Sequence, residues 1–160
     1  MKFTSHRGAL LAIVGSVFIL DQLSKWWLLE VFRIAERTPV RLTENFALVM
    51  AWNRGVSFSM FAHSAEWMPY VLVAVALTIC AVLVRLTLKS PHRLERLGYA
   101  MVIGGALGNV VDRLRFGAVA DFFYAHIGDL GWPAFNVADS AICVGVGLVL
   151  ISMFKQPARP

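Results

Sequence analysis

Apolar residues run along this chain in long unbroken stretches, not in the short alternations or one-sided stripes of a soluble domain. A helix needs about 20 mostly apolar residues to cross roughly 30 Å of hydrocarbon. Four segments approach that length: about 8–29, 67–86, 97–111 and 135–154. The second is apolar without interruption from 67 to 84, whereas the third is shorter and carries Gly104, Gly105, Gly108 and Asn109. Between the first two, the loop 30–66 has strand-like content at 40–42 and 46–52, and Asn53-Arg54-Gly55 reads as a turn. The pattern predicts an all-α membrane protein. It has four transmembrane helices in a single integral membrane domain over 1–160, with a small extracytoplasmic β-sheet subdomain in the first outer loop.

Composition supports this reading. Hydrophobic residues make up 58% of the 160 and charged residues only 16%, with a mean hydropathy of +0.66. A soluble domain carries roughly 25% charged residues, so a cytosolic enzyme, a disordered chain and a disulfide scaffold are disfavoured. The first segment starts basic, as a signal peptide would. No A-x-A site follows it and the run continues through Asp21, Lys25 and Trp26-Trp27, so a retained span is expected. Cys80 and Cys143 lie in apolar runs and read as small buried hydrophobes.

The net charge of +5 resolves into a topology signal. Lys2, Arg7, Arg85, Lys89, Arg93, Arg96, Lys155 and Arg159 fall on one side of a four-span arrangement with Glu95 alone against them, and the other two loops mix signs. Excess Lys and Arg marks the cytoplasmic side. Both termini are therefore expected to be cytoplasmic, and a nucleic-acid partner is not expected.

Ionisable side chains within spans are costly and point to function. Asp21 and Lys25, at i and i+4, share a helix face and suit an ion pair or a support for a site. Gly104 and Gly108 form a GxxxG pair suited to close helix packing. Gly105, Asn109 and Asp112 fall on a neighbouring stripe that ends at the outer interface, and Arg113 follows, suited to a carboxylate or a lipid phosphate. Asn136 and Asp139 lie at i and i+3 at the outer end of the fourth span. Asp121 sits in an apolar outer loop, Val119-Ala120-Asp121-Phe122-Phe123-Tyr124. Two carboxylates in a low-dielectric site share a proton, and such a pair can activate water and protonate a leaving amine. Paired intramembrane carboxylates also suit a proton relay in a carrier. The residues alone leave both open: an aspartic hydrolase, or a small proton-coupled membrane carrier or membrane-complex subunit. No HExxH or other metal-ligand spacing is present, and no cofactor or metal is expected.

The chain resembles the bacterial lipoprotein signal peptidases (signal peptidase II) over nearly its whole length. The matching segments, in order, are Asp21-Gln22-Leu23-Ser24-Lys25, then Asn53-Arg54-Gly55-Val56-Ser57-Phe58-Ser59, the run Gly104 to Arg113, Val119-Ala120-Asp121-Phe122, and Phe135-Asn136-Val137-Ala138-Asp139-Ser140. Ala120 departs from the more usual valine. The resemblance implies a catalytic aspartate dyad at Asp121 and Asp139, with Asp112 the rival for one position. Asp112 directly precedes Arg113 at a helix end, where pairing and capping would occupy it. Asp21, Lys25, Asn53, Gly55, Asn109, Asp112, Arg113 and Asn136 are implied to support the site or bind substrate. The implied substrate is a prolipoprotein whose cysteine carries diacylglycerol, cut just before that cysteine. It also implies a monomer among membrane lipids of the bacterial inner membrane, with its active site near the periplasmic face. Trp52 and Phe58 would cover the substrate's lipid, or form a plain aromatic belt.

Overall fold

The computed structural model describes residues 3–55 and 66–155. Helix α1 spans Phe3–Trp26 and continues into one π-helical turn, Trp27–Val31; a short helix α2 (Ile34–Arg37) follows. Strands β1 (Val40–Arg41) and β2 (Phe46–Asn53) lead to helix α3 (Met68–Lys89) and helix α4 (Arg93–Phe116). Strands β3 (Val119–Ile127) and β4 (Leu130–Gly131) precede helix α5 (Val137–Phe154).

Among the described residues, three helical segments are long and apolar enough to cross a membrane: Gly8–Val31, Met68–Lys89 and Val137–Phe154. The third expected span, 97–111, lies within α4, which is longer than expected and less apolar. Its position explains its composition. The other three long helices all pack on α4, and its Gly98, Gly104, Gly105, Gly108, Asn109 and Asp112 are buried. A Cβ on Gly104 would meet Val14 and Val17 of α1, and one on Gly98 would meet Gly145 and Val149 of α5. One on Gly108 would collide with the Asp21 carboxylate. The GxxxG pair thus serves close approach, as its spacing predicts.

The expected strands in loop 30–66 form, at Val40–Arg41 and Phe46–Asn53. The sheet, however, is not confined to the first outer loop. It is a four-stranded antiparallel sheet in the order β1-β2-β3-β4, and its longest strand comes from the segment after α4. Asp121, expected on a loop, therefore lies on β3 opposite Ala51. The run Phe122-Phe123-Tyr124 is rich in strand-favouring aromatics. Phe122 packs with Leu28, Ile34 and Ala120 in a buried cluster joining the end of α1 to the sheet. Cys80 is buried as expected, but Cys143 is exposed, because it lies on an outward face of α5.

Candidate active site

The last turn of α4, strand β3 and the first turn of α5 converge. Gly117, with φ +69, ends α4 in the left-handed conformation that glycine adopts most readily, and its N–H donates to Arg113 O at 3.0 Å. The chain then turns directly into β3. On return it bridges back to β3: the N–H groups of Phe122 and Phe123 both donate to Phe135 O, at 3.0 and 2.8 Å. This places the first turn of α5 beside Asp121. Asn136 caps α5 in a capping box. Its side chain accepts from Asp139 N at 2.9 Å, and Asp139 Oδ2 accepts from Asn136 N at 3.2 Å.

Asn136 also faces the other carboxylate. Its Nδ2 donates to Asp121 Oδ1 at 2.7 Å. Asn109 Nδ2 donates to Asp139 Oδ1 at 2.8 Å, and Asn109 Oδ1 accepts from Lys25 Nζ at 3.2 Å. Asp121 is 2% exposed and Asp139 half-buried. Burial and the neighbouring charge of Asp139 push the Asp121 carboxyl up to about 6. Hydrogen bonds from Asn53 and Asn136 and the charge of Lys25 pull the other way. Asn53 also accepts the Gly55 N–H at 2.8 Å, and Gly55, at φ +76, turns the chain past Leu72.

Behind this pair lies a buried ionic cluster. Lys25 Nζ is 2.8 Å from Asp21 Oδ2 and 2.8 Å from Asp112 Oδ2. The expected Asp21–Lys25 pair is therefore present, but shared. Asp112 bonds to Lys25, Gln22 and the Ala120 N–H (3.2 Å), not to Arg113. Asp21 Oδ1 accepts the Ala138 N–H at 3.0 Å. Ala120 and Ala138 immediately precede Asp121 and Asp139. Gln22 donates to Asp21, Asp112 and Gly108 O. Its only sequence signal was its place beside Asp21 in a matching segment.

Arg113 is half-buried near Asp139, Asp112 and Asp121, with Nη1 donating to Asn109 O at 3.4 Å and Nε without a hydrogen-bond partner. Trp52 is exposed and packs on Phe116, with ring centroids 5.3 Å apart; Phe58 lies outside the described residues. Among the described residues, no three His, Cys, Asp or Glu side chains are grouped so as to hold a metal.

The fold is that of two solved bacterial membrane enzymes. One superposes with a TM-score of 0.79 over 96% of this chain and 94% of that one, at 24% identity. The other gives 0.77 over 94% and 95%, at 25% identity. The profile of the family described as Signal peptidase (SPase) II matches residues 13–155. Lipoprotein signal peptidase of Azoarcus sp. (strain BH72) is 48% identical over 148 residues, covering 91% of this chain and 82% of that protein. Lipoprotein signal peptidase of Beijerinckia indica subsp. indica is 43% identical over 138 residues, covering 86% and 83%. The chain belongs to the signal peptidase II family, and it is a peptidase of the bacterial membrane.

Proposed function

We propose that the chain is a membrane aspartic endopeptidase. It removes the signal peptide from diacylglyceryl-modified prolipoproteins by cutting just before the lipidated cysteine. Asp121 and Asp139 form the dyad. The observation that carries this reading is the placement of Asn136, which donates to Asp121 and forms the capping box with Asp139.

In the resting dyad one carboxyl holds the shared proton and the other is ionised, and the two titrate as a pair. The ionised carboxylate takes a proton from water as the oxygen attacks the scissile carbonyl, and the protonated carboxyl gives its proton to the carbonyl oxygen. The tetrahedral intermediate then collapses. Its C–N bond breaks, a proton passes from the dyad to the leaving nitrogen, and the products are a signal-peptide carboxylate and the amine of the lipidated cysteine. Asn109 and Asn136 orient the carboxylates. Asp21, Lys25 and Asp112 fix the backbone that carries them, and Arg113, Asn53 and Gly55 face the substrate.

The chain is a single integral domain with α4 as a fourth span, active as a monomer surrounded by membrane lipids. Both termini lie in the cytoplasm and the dyad at the periplasmic face of the inner membrane, a reading supported by the excess of Lys and Arg in the loops on the side of the termini. There the charged site is far cheaper than at the bilayer midplane. Purified protein should convert a diacylglyceryl-modified prolipoprotein to free signal peptide and a product beginning at the lipidated cysteine, leaving the unmodified precursor intact. Equal cutting of both precursors, or cutting at another bond, would contradict the proposed specificity.

A further inference from the structure

The end of α4 opposite the carboxylates carries a second feature. Helices α1 and α3 both pack on α4 but barely touch each other. The space between them is a groove of about 370 Å³ floored by Ala100, Ile103 and Leu107 of α4, with Leu10 on one wall and Val84 on the other. Among the described residues, Thr87 is the one polar residue lining it. Its hydroxyl donates to Leu83 O at 2.7 Å, so it leaves no unsatisfied polar group there.

A smaller groove of about 240 Å³ adjoins it, sharing Leu10, and is lined by Arg93 and Arg96. Arg93 is exposed and Arg96 half-buried. Among the described residues, neither guanidinium has a carboxylate within ion-pair distance. An apolar slot of this volume suits an acyl chain. Arg93 and Arg96 line the adjoining groove, and guanidinium groups suit phosphate oxygens, which they bind with charge-assisted and often bidentate hydrogen bonds.

We infer that this composite groove binds an anionic glycerophospholipid, one acyl chain lying between α1 and α3 on α4 and the headgroup phosphate held by Arg93 and Arg96. Charge complementarity selects the ligand class. A zwitterionic headgroup brings its own cation to the phosphate and gains less from two arginines than an anionic one. The site lies away from Asp121 and Asp139 along α4, so its occupation does not require substrate.

Native mass spectrometry of the intact protein in neutral detergent tests this, with phosphatidylglycerol and phosphatidylcholine of identical acyl chains as probes. Wild type should retain phosphatidylglycerol preferentially. Arg93→Gln/Arg96→Gln should weaken that retention roughly tenfold or more, the scale expected for two basic contacts to an anionic lipid. It should leave phosphatidylcholine retention unchanged. Val84 is exposed on the groove wall, so Val84→Trp should fold while filling the groove and lowering retention of both lipids. Both variants should cleave prolipoprotein normally, which verifies their fold. Equal retention of the two lipids by wild type would overturn the inference. So would full phosphatidylglycerol retention by the arginine variant, or no effect of Val84→Trp on either lipid.

Discussion

Asn136 donates its side-chain N–H to Asp121 at 2.7 Å while its side-chain oxygen caps α5 at Asp139 N. One amide thus sets a β3 carboxylate against the first turn of α5. Asn136→Ala removes both bonds and leaves a buried acceptor without its donor. Loss of the cap alone costs about 1–2 kcal/mol, so thermal stability should drop measurably and cleavage should fall further than stability does. Asn136→Asp keeps the capping oxygen but sets a third carboxylate beside Asp121. It should retain more of the α5 stability than alanine while remaining inactive at neutral pH. Thermal unfolding and turnover measured on both variants check this.

The raised Asp121 carboxyl makes a pH prediction with a definite sign. At about 6 in the folded chain against an ordinary 3.8, this group binds its proton more tightly when folded. Its contribution to stability therefore declines as pH rises from 3.8 to about 6. Asp121→Asn removes that penalty and keeps an acceptor for Asn136. At pH 7 the variant should be more stable than wild type by something on the order of 1–3 kcal/mol, and the gap should close below pH 3.8. Asp139→Asn removes one cause of the shift and should narrow the window from its upper edge. Unfolding curves across pH 3–8 test this, and a gap independent of pH would refute it.

Lys25 is the cation of a buried cluster, within 2.8 Å of both Asp21 and Asp112. Lys25→Met strands two buried carboxylates, a loss of about 3–5 kcal/mol. Because those carboxylates also hold the N–H groups of Ala120 and Ala138, the variant should lose cleavage even below its unfolding temperature. The double variant Asp21→Asn/Lys25→Met strands only one carboxylate and should recover part of the stability. Calorimetry in detergent separates the two effects.

Gly108→Ala would drive a methyl group into the Asp21 carboxylate. It should lower both stability and turnover, although Gly108 itself carries no chemistry. Gly15, by contrast, has open space around it, and Gly15→Ala should be silent in the same assays.

The long helices were legible because hydrocarbon thickness imposes an apolar run that composition alone exposes, as from 67 to 84. The boundaries of α4 were less so, since its Gly98, Gly104 and Gly108 face other helices and lower the apolarity of a central helix. Strand β3 was missed. Asp121 interrupts an otherwise apolar run, and its pairing partner Ala51 is far away in sequence. The candidate carboxylates and amides were readable from residue type, position and family resemblance. Their wiring was not. The bond from Asp21 to the Ala138 N–H spans 117 positions and leaves no local trace, and nothing in the local pattern tied Asp112 to Lys25 rather than Arg113.

The central claim is that Asp121 and Asp139, not Asp112, perform the chemistry. Its most direct test is turnover of purified Asp121→Asn, Asp139→Asn and Asp112→Asn on one diacylglyceryl-modified prolipoprotein, with and without chelator. The first two should each fall to background, a loss of roughly 10⁴-fold, while remaining folded. Asp112→Asn should keep measurable activity, because an amide oxygen still accepts the Ala120 N–H, and chelator should change nothing. Near-normal turnover by Asp121→Asn, or an inactive Asp112→Asn beside an active Asp121→Asn, would contradict the assignment.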